Sequence, residues 1–264
     1  MHTTDILTQF YNAYDEEGRL LTRYGAVEFA TTVRYVEQYL TPGMRILEIG
    51  AGTGRYSHAL AQMGYQVDAV ELLEHNIRQF QALTQPGEPV TITQGDARDL
   101  SAFADETYDI TLLLGPLYHL YTEADKLQAL REAVRVTKRG GVVFAAYCMA
   151  DPTIVQHAFI KGNIRSLMER GMIDTKTFTA HSEPCDLFEL HRVEDIIRLR
   201  SGLAVEPLAL VAADGYANHM REALAEMPED VYALYLQYHL ATCERMELMG
   251  YSHHTIDIFR KRRD

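Results

Sequence analysis

The 264-residue chain has no tryptophan, only three cysteines and 25 lysines and arginines against 37 acidic residues. It also lacks any apolar run of about 18 residues, the length a membrane-spanning helix needs. The missing tryptophan carries no functional weight. Cys148, Cys185 and Cys243 are odd in number, far apart and outside any zinc-ligand spacing, which excludes a disulfide framework and fits a reducing, cytoplasmic setting. The start, Met1-His-Thr-Thr-Asp-Ile6, lacks a positive segment followed by an apolar stretch, so it does not read as a secretory signal. A net charge of −12 repels phosphate backbones, and no nucleic-acid partner is expected. The one basic cluster, Arg260-Lys-Arg-Arg263, is short and terminal and reads as a solvated end. Eleven histidines raise the question of a metal, but none forms His-Glu-x-x-His and His253-His254 are adjacent, so no metal site is expected.

What is present is the composition of a globular protein, with 47% apolar and 23% charged residues. Residues 1–40 look helical. Thr4 and Asp5 cap a first helix through Phe10, Tyr11 and Tyr14 that stops near Gly18, and a second helix spans Gly25 to Leu40. Pro42-Gly43 breaks the chain. Short apolar runs then alternate with amphipathic stretches. The runs are Arg45–Ile49, Val67–Glu71, Val90–Thr93, Tyr108–Leu114 and Val142–Tyr147; the helices fall near 55–63, 74–83 and 123–137. Such alternation predicts βαβ units and a parallel sheet covered on both faces. Lys138-Arg-Gly-Gly141 reads as a helix C-terminus. Asp151-Pro152 opens a helix to about Gly171, 177–190 is a strand pair or loop, and Val193–Arg200 is helical. Ala204–Ala212 and Thr255–Phe259 read as strands around a helical 218–249. One domain is expected, with an N-terminal helical lid (1–40), a cofactor-binding core (41–148), a substrate-cap insertion (149–204) and a C-terminal completion of the sheet (205–264).

Gly50-Ala-Gly-Thr-Gly54 follows the first strand and precedes a helix. Such a turn lets a ligand approach the backbone at the carboxyl ends of the strands. Alone it fits several nucleotide cofactors. The dinucleotide fingerprint G-x-G-x-x-G fails, because Arg55 falls where its third glycine belongs, and no Gly-Lys-Ser/Thr follows for a P-loop. Glu71, at the end of the next strand, is placed to accept from ribose hydroxyls. Gly95-Asp96-Ala97 follows the third.

Glu48-Ile-Gly-Ala-Gly-Thr-Gly54, Val70-Glu71, Gly95-Asp96-Ala97 and Tyr108-Asp-Ile-Thr-Leu-Leu-Leu-Gly115 together resemble the successive motifs of class I S-adenosylmethionine-dependent methyltransferases of the small-molecule type. The resemblance covers residues 44–148. It implies a Rossmann-like, seven-stranded, mostly parallel sheet whose last strand is antiparallel, and S-adenosyl-L-methionine as cofactor. Gly50, Gly52 and Gly54 would lie beneath its methionine part and Glu48 near its ammonium. Glu71 and Leu72 would hold the ribose. Asp96 would accept from the adenine amino group beside the Ala97 amide, and Leu114 would offer its carbonyl to the ammonium. In similar enzymes an N-terminal helix folds over the cofactor, so Tyr11 and Arg23 are expected at the methionine moiety, Arg23 on its carboxylate.

Gly115-Pro-Leu-Tyr118-His119 stands where amino-methylating enzymes of nucleic acids carry Asn/Asp-Pro-Pro-Tyr/Phe. Gly115 removes the acceptor group that such chemistry needs. Tyr118 and His119 are the catalytic candidates, His119 as a general base or substrate hydrogen-bond partner. His157, Phe159, Phe178, His181, Phe188, His191, Tyr216 and His219 are candidates to line the cap. The expected partner is a small-molecule methyl acceptor, with the protein a monomer or homodimer. A tRNA or rRNA methyltransferase, a non-catalytic cofactor-binding protein and a dehydrogenase are the competing readings.

Overall fold

The computed structural model describes residues 3–13 and 16–263, without the side chains of Thr3, Glu16 and Glu17. Tyr14 lies outside the described residues. Helices α1 (Thr3–Ala13), α2 (Glu16–Leu21) and α3 (Arg23–Glu37) come first. The core follows as β1 (Arg45–Ile49), α4 (Arg55–Gln62), β2 (Gln66–Glu71), α5 (Glu74–Leu83), β3 (Val90–Gln94), β4 (Tyr108–Leu113), α6 (Glu123–Val136) and β5 (Thr137–Met149). Next, α7 (Ala150–Thr153) runs into a π-helical turn at Ile154–Ile160, then α8 (Ile164–Glu169), β6 (Leu190–His191) and α9 (Val193–Ser201). The chain closes with β7 (Val205–Ala212), α10 (Arg221–Glu226), α11 (Glu229–Thr242), α12 (Met246–Met249) and β8 (His254–Lys261).

The strands pair in the order β3-β2-β1-β4-β5-β8-β7. All neighbours from β3 to β5 are parallel, and β8 runs antiparallel to both β5 and β7. The expected Rossmann-like sheet is therefore present with an eighth strand, because β6 adds a two-residue parallel pairing to the end of β5. The central strands are buried on both faces, as parallel strands under helices must be. Alternate residues feed opposite layers. Leu47, Ile49, Val143, Ala145 and Tyr147 pack beneath α6 and α9, while Ile46, Phe144, Ala146 and Ile258 pack toward α3 and α4.

Three readings of the sequence change. Lys138–Gly141 is not a helix end. Helix α6 stops at Val136, β5 begins at once, and Lys138 pairs with Asp109 at 2.8 Å on the neighbouring strand. Gly140, at φ 78°, sits by a register shift in the β4–β5 ladder. The helix from 150 is broken at Gly162 (φ 75°), and 177–190 forms a loop apart from a short 3-10 turn at Pro184–Asp186 and the start of β6. The basic cluster is not a free end either, since Arg260 and Lys261 belong to β8 and Lys261 Nζ donates to the Thr137 carbonyl at 2.8 Å.

The N-terminal helices are fastened by charge. Arg19 of α2 pairs with Glu28 of α3 at 2.7 Å, and Glu28 faces His254 of β8 at 3.4 Å. His254 also donates to buried Asp214 at 2.9 Å. Burial opposes an imidazolium there, but Glu28 and Asp214 outweigh it and hold His254 well above its ordinary value. The ligand atoms of Glu28, Asp214 and His254 lie within 4.8 Å of one another, a grouping invisible in sequence. Arg19, Ser252 and Asn218 already bond its carboxylates.

Candidate active site

Winding reverses between β1 and β4. The first half of the sheet grows outward from β1 to β3, the second from β4 to β5. The crevice left at the carboxyl ends is where open α/β sheets bind ligands. Here it is a cavity of about 340 Å³ lined by the glycine loop, by the ends of β2, β3 and β4, and by α1. That volume is in the range of small-molecule and cofactor sites.

The loop takes its shape from its glycines. Gly50 and Gly54 have φ of 76° and 93°, conformations that side chains other than glycine rarely tolerate. A Cβ at Gly50 would stand 2.6 Å from Pro116 Cδ, and one at Gly54 2.4 Å from the Phe80 ring. Gly50 thus presses the β1 loop against the β4 loop, and Gly54 starts α4 flush on α5. Gly52, between them, faces open space.

Carboxylates surround this loop. Glu71 is 6% exposed and accepts from the Gly52 and Leu73 amides, each at 2.9 Å, and from Asn76 at 3.2 Å. Burial raises its proton affinity against those three bonds. It ties the loop to the end of β2 and keeps lone pairs for a ligand hydroxyl. Glu48 is 1% exposed, and burial pushes it up to about 8 although Ser57 donates to it. A cation brought into the cavity would bring that value down. Asp96 is gripped by the Arg98 guanidinium at 2.6 Å, and Arg98 also reaches Asp125 at 3.2 Å. Burial alone would raise Asp96; the Arg98 bonds outweigh it and leave it lowered. Leu72, Ala97 and the Leu114 end of β4 complete this half, with the Leu114 carbonyl accepting from the Tyr118 hydroxyl at 3.2 Å.

The other half is aromatic. His119 Nδ1 lies 2.8 Å from the Leu187 carbonyl, and a carbonyl can only accept, so Nδ1 carries the proton. Burial pushes the ring down to about 4, against the Leu187 bond, so it is neutral at pH 7. Nε2 is then a lone pair, and the Tyr11 hydroxyl donates to it at 2.9 Å. Tyr118 packs edgewise on His119, and Phe188 tilts against both, at centroid distances of 5.9 and 5.4 Å.

Of the expected catalytic and cofactor residues, two do not line the cavity: Gly54, which faces the Phe80 ring instead, and Arg23. Arg23 donates to the Leu224 and Met227 carbonyls, pairs with Glu229 at 2.8 Å and stacks on Tyr232. It pins α3 to α10 and α11, because α3 turns its first residue toward them. Arg55, at the mouth of the glycine loop, lines the cavity, as does Arg98. The signal of Arg55 was in the sequence, since it follows Gly54 directly at the start of a helix. Most cap candidates lie elsewhere. Phe159 and Phe178 are exposed, His191 packs under β5 on Tyr147, and Tyr216 stacks on Tyr251. His157 contacts Asn163 and His219 faces His253, while His181 does not line the cavity. Phe188 alone of them touches the Tyr118–His119 wall. Tyr121, whose hydroxyl donates to Leu187 at 2.8 Å, and Leu7 and Leu20 were not foreseen there.

Residues 47–145 match the family model described as a methyltransferase domain. The chain is 30% identical over 194 residues to a ubiquinone biosynthesis O-methyltransferase of Pseudomonas fluorescens (strain Pf0-1), covering 70% of this chain and 79% of that protein. It is 28% identical over 205 residues to its namesake in Stutzerimonas stutzeri, covering 74% and 84%. The chain belongs to the class I S-adenosylmethionine-dependent methyltransferases. Among solved structures, an S-adenosylmethionine-dependent methyltransferase of Thermotoga maritima, titled a possible histamine N-methyltransferase, shares the fold. Its TM-score is 0.59 at 18% identity, over 99% of this chain and 100% of that one. A methyltransferase of Methanosarcina mazei gives 0.57 at 17% identity, over 87% and 98%. Among the described residues, no helix of this methyltransferase is long and apolar enough to cross a membrane.

Proposed function

We propose that this methyltransferase methylates a hydroxyl of a small, flat, uncharged acceptor. The observation that carries the reading is His119. Its ring lines the same cavity as Glu71, Glu48 and Asp96, with Nδ1 on the Leu187 carbonyl and the Nε2 lone pair on the Tyr11 hydroxyl. The relatives' names, O-methyltransferases of a biosynthetic route, support a hydroxyl acceptor.

When bound, S-adenosylmethionine supplies an electrophilic methyl group on a sulfonium. Glu71 would hold the ribose hydroxyls, Glu48 the ammonium and Asp96, with the Ala97 amide, the adenine edge. Arg55 would hold the carboxylate in place of Arg23. The Tyr118 ring, backed by Phe188, would stack on the acceptor and exclude water. His119 Nε2 would take the acceptor's proton as the O–C bond forms and the methyl–sulfur bond breaks, the electron pair returning to sulfur as a neutral thioether, and the imidazolium would keep its Nδ1–H bond to Leu187. Leu187 is a positioning residue. It has φ 69° without being glycine, and its carbonyl accepts from both His119 and Tyr121. Such backbone strain persists where the surroundings enforce it. The helices α1 and α2 serve as the lid.

The test is calorimetry with S-adenosylhomocysteine and with NAD, then S-adenosylhomocysteine release against a metabolite pool with mass spectrometry of the product. Binding of the first ligand and a one-methylene mass gain on a hydroxyl compound are expected. Binding of NAD alone, or methylation at nitrogen only, overturns the reading.

A further inference from the structure

Tyr11 does something at the acceptor end that its expected role on the methionine moiety leaves unexplained. Its phenol is hydrogen-bonded to the Nε2 lone pair of His119, whose ring lines the cavity. The donor is a neutral aromatic hydroxyl. Its ring meets His119 edge-on at 5.8 Å and 83°. Phe10, its neighbour on α1, meets Phe188 edge-on at 6.0 Å. A phenolic acceptor delivering its proton to Nε2 would need this same atom and this same aromatic surround. Both hydroxyls cannot donate to a single lone pair.

We propose that the Tyr11 hydroxyl occupies the place of the acceptor's own phenolic hydroxyl on His119 Nε2, and that the acceptor binds by exchange with it. The inference rests on the hydroxyl-acceptor reading above. It deepens that reading in one way: an internal hydroxyl holds the acceptor's place and must be displaced before the acceptor binds.

The mechanics favour exchange. Helix α1 has only 11 residues, too short to be stable by itself in water. It is held by what its inner face touches, and Leu7 and Tyr11 both line the cavity. Helices α2 and α3 are fixed separately by the Arg19–Glu28–His254 chain, so withdrawal of α1 leaves the rest of the lid fastened. On the other side, Leu187 holds His119 whether or not Tyr11 is present. With Tyr11 in place the buried lone pair stays satisfied, which removes the cost of an unpaired acceptor while no substrate is bound. The exchange trades one O–H···N bond for another of the same kind, so it selects for a hydroxyl over an ether or a bare ring.

The test uses the full chain loaded with S-adenosylhomocysteine, with phenol and toluene as probes. Wild type and Tyr11→Phe are titrated by calorimetry, and the imidazole ¹⁵N resonances are followed. The substitution keeps the ring and removes the competing donor. Phenol is expected to bind roughly 2- to 10-fold tighter to the variant, the weight of one ordinary hydrogen bond, with toluene unchanged. The His119 Nε2 resonance is expected to shift in Tyr11→Phe and to return toward its wild-type position when phenol is added. Unchanged or weaker phenol binding overturns the proposal, as does equal tightening of phenol and toluene, which would make Tyr11 mere filling. Loss of the ¹⁵N response also overturns it. Failure of the wild type to bind S-adenosylhomocysteine is a separate result and counts against the function, not against the plug.

Discussion

The two ends of the cavity are built in opposite ways. At the glycine-loop end, the groups stand on the tips of neighbouring strands. Glu48 is on β1, Glu71 ends β2 and Asp96 follows β3 within two residues, so sheet register fixes their spacing. At the aromatic end, His119, Leu187 and Tyr11 come from a 3-10 turn, a loop and a short helix, with 68 and 108 residues between the partners of each bond. A rigid end suits a ligand that every member of the family shares. An end assembled from loops suits the acceptor, which differs between members and must enter and leave.

This contrast can be broken. The largest effect is expected at the aromatic end. His119→Ala should lower kcat by about 100-fold or more, the ordinary weight of a general base, while cofactor affinity stays within about twofold. Kinetics on the identified acceptor together with calorimetry check this, and normal turnover would remove the base. At the rigid end, the fault should appear in stability and affinity instead. Gly54→Ala puts a Cβ on the Phe80 ring at a left-handed φ and should cost about 2–4 kcal/mol in urea unfolding, with cofactor binding lost alongside.

Glu71→Ala should weaken S-adenosylhomocysteine binding by about 1–3 kcal/mol through lost buried hydrogen bonds. An unchanged dissociation constant would free Glu71 from the ribose. Glu48 adds a pH signature. Because burial holds it up to about 8, it is largely protonated in the free protein at pH 7, and a neighbouring ammonium favours the carboxylate. Cofactor binding should then release close to one proton, and affinity should rise as pH climbs from 6 toward 7.5. Titration in buffers of different ionisation heat reads this directly, and Glu48→Gln should abolish it. The smallest effect is expected at Arg23. Its replacement by Ala should move cofactor affinity by less than about 0.5 kcal/mol, since its guanidinium is spent on α10 and α11. A large loss would restore the carboxylate role.

Much of the rigid end was legible without coordinates. Apolar runs that end in Glu48-Ile-Gly, Val70-Glu71 and Gly95-Asp96 mark strand tips by local pattern, and parallel strands under helices bring those tips together whatever the rest of the chain does. The first part of β5 was misread because Lys138–Gly141 carries the composition of a helix end, while a direct helix-to-strand junction needs none. The partner of Arg23 lay some 200 residues away, beyond any local signal. Of eight aromatic and histidine residues expected in the cap, only Phe188 met the Tyr118–His119 wall, because loop paths depend on contacts made elsewhere.

The sequence by itself determined the strand tips and the glycine loop, since strand periodicity and loop glycines are local properties, and its resemblance to a known family implied the class of cofactor chemistry. The tertiary structure alone decided that burial lowers the proton affinity of His119 and that its Nδ1 meets the Leu187 carbonyl, leaving Nε2 as the lone pair. It also decided that Tyr11 sits on that lone pair and that Glu28, Asp214 and His254 meet. Those facts depend on burial and on the approach of distant segments, which no local pattern encodes.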